Sequence, residues 1–182
     1  MKRSVQEHSY GHDLAEYFDA FVWHYQFRVL QPLAEHLGIQ PQQIFIGGCG
    51  FGKDVVAAAR AFPKAKITAV SIDDTPTQDV RTEVKSRLLF CEQTVSDFLQ
   101  RRRNKPQFDL ALFFNMLSND LTTPSFTRLA KAMKQGAYVL ETDDSGNRVK
   151  FSILQNLGFE QVEIPAQIYE TLLRGSLWKK VK

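Results

Sequence analysis

Short apolar runs alternate with amphipathic stretches from position 44 onward. The runs fall at 44–47, 67–72, 87–91, 108–114 and 137–141, each of a length suited to a buried strand and bounded by helix or turn signals. Between the first two, Lys53–Phe62 (KDVVAAARAF) reads as a helix. Thr75-Pro76, with Gln78 placed to close a capping box, and Thr123-Pro124 each put a cap before a proline at a helix start. Alternating strands and helices predict parallel βαβ units with helices on both faces of a sheet. Further along, Lys150–Leu157 reads as a helix stopped by Gly158, Phe159–Ile164 as a strand and Ser176–Val181 as a closing strand, while Tyr169–Leu173 fits neither pattern. The last two strands are too close for a full crossover helix, so they are expected to run antiparallel.

The N-terminal stretch has a different period. Leu14, Phe18, Val22, Val29, Leu33 and Leu37 form a helical stripe flanked by Tyr17, Phe21 and Tyr25. Pro32 is expected to split it into two helices, with Gly38 as the final stop. Neither repeat, low-complexity tract nor linker interrupts the chain, so the expectation is one domain, with 1–40 as a helical cap and 43–182 as the core.

Composition narrows the class. At 182 residues, 43% hydrophobic and 24% charged, the chain is long enough for a substantial core and too apolar for disorder. No apolar run approaches the roughly 20 residues that span a bilayer, and the basic N-terminus lacks the apolar segment of a signal peptide. Cys49 and Cys91 have neither metal-ligand spacing nor the number for a disulfide framework, so the expected setting is cytoplasmic. A net charge of +3 does not by itself imply nucleic acid. The basic run Arg101-Arg102-Arg103-Asn104-Lys105 reads as a solvated helix end on the side away from the ligand edge.

The candidate chemistry centres on Ile44-Phe45-Ile46-Gly47-Gly48-Cys49-Gly50-Phe51-Gly52, a strand that empties into glycines ahead of a helix. Without Cβ atoms there, a ligand can lie against backbone at a helix N-terminus. Gly48, Gly50 and Gly52 give the spacing G-x-G-x-G, which misses the dinucleotide fingerprint G-x-G-x-x-G. The chain resembles the class I S-adenosylmethionine-dependent methyltransferases, whose first motif ends a strand with G-x-G-x-G. KITAVSIDD (66–74), RLLFCEQTVSDFL (87–99), FDLALFFN (108–115), LAKAMKQGAYVLE (129–141) and KFSILQNLGFEQVEI (150–164) follow in the order of that family's later elements. The resemblance implies a Rossmann-like three-layer α/β sandwich. Its sheet would have seven strands, mostly parallel with the final strand antiparallel, behind an N-terminal helical extension. It also implies S-adenosylmethionine as cofactor, held by Gly48, Cys49, Gly50, Gly52, Asp73, Thr94, Val95 and Asn115.

Three positions depart from the family pattern. The acid usual two residues before the first motif glycine is Ile46; Ser71 stands 19 residues past Gly52 where the ribose acid is expected, with Asp73 two further on; and the acid near the adenine aligns with Thr94. Losing one charged hydrogen bond weakens binding by about 1.5–3 kcal/mol. Asp73 and Asp74 serve either the ribose or the positive end of the next helix. Thr94, with Asp97 three residues on, fits a helix cap better than an adenine contact, and Cys49 fits a small packing residue.

For catalysis the sequence offers Asp143, His24 and Tyr25. Glu141, Asp143 and Asp144 form an acidic cluster suited to a base, or to a metal with Asn119 or Asp120; a solvated turn through Ser145-Gly146-Asn147 is the simpler reading, and no metal is expected. His8, Tyr10, His12, Tyr17, Trp23, His24 and Tyr25 form a dense aromatic and imidazole group near the N-terminus, where acceptors are often covered in similar methyltransferases, with Tyr17 and Phe21 expected in the core. The implied activity is methyl transfer to a small molecule, with no membrane partner and nucleic acid disfavoured by the lack of an N-P-P-Y-like motif after the fourth strand. The alternatives are a non-catalytic module of the same fold and another transferase using a related donor, such as aminopropyl transfer.

Overall fold

The computed structural model describes residues 17–72, 80, 82, 84–101, 105–114, 121–142, 153–170 and 175–182. Seven strands form one sheet: β1 (Gln43–Gly47), β2 (Lys66–Ser71), β3 (Leu88–Glu92), β4 (Phe108–Phe114), β5 (Met133–Thr142), β6 (Phe159–Val162) and β7 (Ser176–Lys180). Their order is β3-β2-β1-β4-β5-β7-β6. β1, β2, β3, β4 and β5 pair in parallel, and β7 lies antiparallel to both β5 and β6. The expected Rossmann-like sandwich, with a reversed final strand, is the observed one.

Side-chain alternation divides the core into two clusters, because successive residues of a strand face opposite ways. Ile44, Ile46, Leu110, Leu112, Phe114 and Leu140 pack with Val22, Val29 and Leu33 of the N-terminal helical run and with the helix Lys53–Ala61. Phe45, Ala111, Phe113, Val139 and Trp178 face the other side. There they meet residues of the helices Val95–Arg101, Thr123–Ala132 and Ile153–Asn156. At the strand starts, Asp109 accepts from the Gln42 and Gln43 amides at 2.9 and 2.8 Å and from Lys134 Nζ at 2.7 Å, tying β1, β4 and β5 together.

Several boundaries differ from the sequence expectation, each for a local reason. Pro32 does not split the N-terminal stripe. Residues 17–24 are α-helical, Tyr25–Leu30 form a π-helical segment, and Gln31–Leu37 (α1) continue as α-helix. Proline lacks an N–H and its ring crowds the carbonyl four residues back. The widened segment accommodates this: the Gln31 N–H, just before Pro32, reaches the Gln26 carbonyl five residues back. Gly38 ends the run in the left-handed region (φ 62°). The helix Lys53–Ala61 is α2. The Ala59 carbonyl in its last turn and the Phe62 and Ala65 carbonyls beyond its end accept from the Arg87 guanidinium at 3.3, 3.2 and 3.0 Å, and β3 begins after that arginine.

The helix Val95–Arg101 (α3) follows β3. The helix Thr123–Ala132 (α4) is capped from Thr122, one residue earlier than expected, with Pro124 inside its first turn. β5 starts directly at Met133, four residues ahead of its apolar run, since residues 133–136 extend past the buried stretch. Ile153–Asn156 (α5) stops ahead of Gly158 (φ 86°), and Ala166–Tyr169 is a one-turn helix (α6) that takes in the first residue of the unassigned stretch Tyr169–Leu173, of which residues 171–173 lie outside the described residues. The Thr75-Pro76 cap lies outside the described residues, as do Asp73, Asn115, Asn119, Asp120, Asp143, Asp144, the 145–147 turn, His8, Tyr10, His12, and Arg102, Arg103 and Asn104. Among the described residues no helix is long and apolar enough to cross a membrane.

Candidate functional site

The carboxyl ends of β1 and β4 diverge where the strand order reverses, and in open α/β sheets that crevice is where ligands bind. The glycine turn sits there. Gly48, Gly50 and Gly52 have φ of 70°, 44° and 82°, all in the left-handed region that favours glycine. The turn is closed on itself: the Gly48 and Cys49 amides donate to the Val70 carbonyl of β2 at 2.8 and 3.3 Å, and the Gly52 amide donates to the Cys49 carbonyl at 2.8 Å. It is a rigid corner that leads into α2 with Gly52 at the N-cap. Among the described residues, no heavy atom beyond its two chain neighbours lies within 4 Å of where a Gly50 Cβ would stand, so the corner offers open backbone. Gly47 is a glycine for another reason: a Cβ there would lie 2.5 Å from the Phe113 ring.

Three titratable groups crowd this corner. Burial pushes the Cys49 thiol up to about 12, with the Asp54 carboxyl adding to the shift, so Cys49 packs and is no nucleophile. Burial also raises Asp54 to about 8, against the opposing pull of the Lys53 ammonium and of a backbone N–H. Lys53 is lowered by its own desolvation, partly offset by Asp54. The Lys53 ammonium stands over the Tyr17 ring at 4.0 Å and the Phe21 ring at 5.2 Å, joining the N-terminal helical run to the glycine corner; Tyr17, expected in the core, is exposed, its ring facing this cation instead. Asp54 was legible in principle, since it precedes Ala57 and Ala58 by helical spacing on the buried face of α2.

The other sequence candidates divide by environment. Thr94 Oγ1 accepts from the Asp97 amide at 2.9 Å and so caps α3, the role its spacing suggested. Val95 is buried, with its side chain 3.3 Å from the Gly47 Cβ position. Tyr25 is buried, stacked on Phe21 at 4.3 Å and edge-on to Phe114, the last residue of β4, at 4.6 Å. His24 is half-buried and meets Tyr25 edge-on at 5.7 Å. Ile46 is fully buried in the core, and Ser71 is buried at the end of β2.

Polar groups that sequence reasoning missed lie along the same edge. Gln93 Oε1, just past β3, and Thr142 Oγ1, the last residue of β5, are buried with no hydrogen-bond partner among the described residues. Glu141 is 1% exposed; it is a strand residue and not part of a solvated turn. Ser176 Oγ donates to Glu141 Oε1, and Trp178 Nε1 donates to Ser176 Oγ at 3.3 Å. Thirty-five positions separate Glu141 from Ser176, and only the β5–β7 register brings them opposite each other. Among the described residues no group of three or more His, Cys, Asp or Glu could hold a metal ion.

No family model matches the chain, and no curated protein matches it in sequence. Solved structures do match in shape. A methyltransferase from Geobacter sulfurreducens superposes with a TM-score of 0.63 at 11% identity, over 100% of this chain and 92% of its own. The Burkholderia thailandensis 1,6-didemethyltoxoflavin-N1-methyltransferase, solved with 1,6-didemethyltoxoflavin and S-adenosylhomocysteine, gives 0.58 at 16% identity over 100% and 93%. Human N-acetylserotonin methyltransferase, solved with S-adenosylmethionine, gives 0.58 at 16% identity over 91% and 55%. With its 3-2-1-4-5-7-6 sheet, its glycine corner after β1 and its reversed last strand, the chain has the fold of the class I methyltransferases.

Proposed function

We propose that the chain transfers a methyl group from S-adenosylmethionine to a small-molecule acceptor, as a single domain whose N-terminal helical run covers one side of the site. The observation that carries this reading is the rigid glycine corner at the β1/β4 divergence, with open backbone over Gly50. The residues present fit such a donor. Gln93 Oε1 and Thr142 Oγ1, buried and with no hydrogen-bond partner among the described residues, lie at the strand ends on either side of the corner, and buried polar groups are ordinarily satisfied. When bound, the donor supplies a methyl group activated by its sulfonium.

The chain's own task is alignment and exclusion of water, and positioning of this kind can supply roughly 7–11 kcal/mol of a barrier. Gly48, Cys49, Gly50 and Gly52 would hold the donor by backbone, with Val95 as an apolar neighbour; Asp73 and Asn115 complete the proposed set. Thr94 is committed to capping α3, so its part in binding is at most indirect, through the position of Val95. Tyr25, fixed between Phe21 and Phe114, acts as wall, and His24 and Asp143 are left as the proposal's weaker catalytic candidates.

One observation favours a second reading, a non-catalytic module of the same fold: Ile46, fully buried, fills a position where the resembling family carries an acid. Calorimetric titration with S-adenosylmethionine and S-adenosylhomocysteine separates the two. Methyl transfer requires dissociation constants near the micromolar range; absence of binding at millimolar ligand refutes it and favours the module.

A further inference from the structure

The outer side of the N-terminal helical run carries aromatic surface that the fold leaves uncovered. Val22, Tyr25, Val29 and Leu30 turn inward and are buried. Asp19, Ala20, Trp23, Phe27 and Arg28 form the outward stripe. Trp23 is 51% exposed and Phe27 46%, and their ring centroids lie 5.7 Å apart, so the two make one continuous apolar patch. Hydrophobic residues exposed singly need no explanation, but adjoining ones mark an interaction surface.

The π-helical segment Tyr25–Leu30 shapes this patch. Its hydrogen bonds reach five residues back, so residues five apart come nearly into line. Arg28 thereby lies over Trp23, with the guanidinium carbon 5.5 Å from the ring centroid. A regular α-helix would carry a residue five positions on well around its axis.

The stripe is complementary to itself. Asp19 and Arg28 are both exposed and about 13 Å apart along the helix, and among the described residues neither joins a salt bridge. Two copies of the run, laid antiparallel about a two-fold axis between positions 23 and 24, bring Asp19 opposite the partner's Arg28. The same register sets the small Ala20 opposite the partner's Phe27 and places the two Trp23 rings together at the centre. Each pairing occurs twice, as a two-fold interface requires. A lipid surface fits less well, because basic residues border the apolar face of membrane-surface helices and Asp19 puts an acid there.

We propose that this face is the interface of a homodimer, in which a second copy of the chain covers Trp23 and Phe27 and Asp19 pairs with the partner's Arg28. The proposal is independent of the methyl-transfer reading. Trp and Arg are prominent among the residues that dominate interfaces. One helix against its copy covers less than the roughly 800 Å² per partner of a standard interface. The dimer is therefore weak, with a dissociation constant on the order of 10 µM.

Sedimentation velocity of the full chain from about 1 to about 200 µM tests this. The 20.8 kDa monomer should give way to a species of twice that mass as concentration rises. Asp19→Arg sets two like-charged pairs against each other across the axis, as does Arg28→Asp, and each should weaken association about tenfold. Combining Asp19→Arg with Arg28→Asp in one chain restores both pairs, and so does an equimolar mixture of the two single variants. Both should dimerise within about threefold of wild type. The substituted positions are exposed, so every variant should keep the far-ultraviolet circular dichroism of the wild type.

A chain that stays monomeric at every concentration overturns the proposal. A dimer that the single reversals leave unchanged also overturns it, since that dimer lies on another face, as does failure of the double variant or of the mixture to recover. Uptake by vesicles of phosphatidylcholine and phosphatidylserine, with no dimer in solution, refutes it in favour of a lipid-facing stripe.

Discussion

Replacing Asp54 with asparagine exchanges a hydroxyl-or-oxyanion for an amide of the same shape, so it isolates the charge of a carboxyl group in the first turn of α2. Burial raises that group from 3.8 to about 8. Its folded value lies above the unfolded one, so the protonated form is the one the native state favours. The stability it confers is complete below pH 3.8 and is lost as the pH rises toward 8. One pKa unit corresponds to about 1.4 kcal/mol, so wild type should lose ~1.4 kcal/mol per pH unit relative to Asp54→Asn between pH 5 and 7, ~3 kcal/mol in all. All other titrations cancel in the difference. Urea unfolding at half-unit pH steps, followed by the fluorescence of the buried Trp178, measures it directly, provided the denaturant slope is the same in both proteins. The curve of the difference should rise and then flatten above pH 8. A difference independent of pH across this window would mean that the carboxyl is ionised in the folded protein. The Lys53 ammonium would then outweigh burial as the main influence on Asp54.

Other substitutions probe the supports of the site. Gly47→Ala drives a methyl group to 2.5 Å from Phe113 and should cost about 3 kcal/mol, the upper end for overpacking; adding Phe113→Leu should recover part of it in a double-mutant cycle, and strict additivity would disprove the clash. Thr94→Ala removes the cap of α3 and should cost about 1 kcal/mol in thermal unfolding, with affinity for S-adenosylhomocysteine unchanged; a tenfold loss of affinity would restore Thr94 as a ligand contact. Lys180 Nζ donates to the Ala130 and Met133 carbonyls at 2.6 and 2.8 Å, where α4 passes into β5. Lys180→Met keeps the stem and should cost about 2 kcal/mol by urea unfolding, whereas an unchanged midpoint would place the ammonium in solvent.

What the chain discloses in one dimension follows from which forces are local. The strand runs and the glycine turn were legible because burial on both faces demands near-continuous apolar stretches, as in FDLALFF of β4, and because a tight corner demands positive φ. Thr94 was legible as a cap because the bond to the Asp97 amide spans three residues. Pro32 misled for an equally local reason: proline's conflict with a helix is real, but a π-helical segment can absorb it without ending the run, and no side-chain pattern marks that choice. The candidate site was less legible because its polar links cross strands. Glu141 read as part of an acidic turn until β7 placed Ser176 beside it. A residue whose role depends on register can be identified only after the sheet is assembled, which is why this fold was readable from its sequence while the Glu141–Ser176 link was not. By the same logic, inserting one residue into β7 ahead of Trp178 should leave the fold's apolar pattern recognisable yet turn Ser176 to the other face. The Glu141 contact would be lost while the glycine corner, built from β1 and β2 alone, stayed intact.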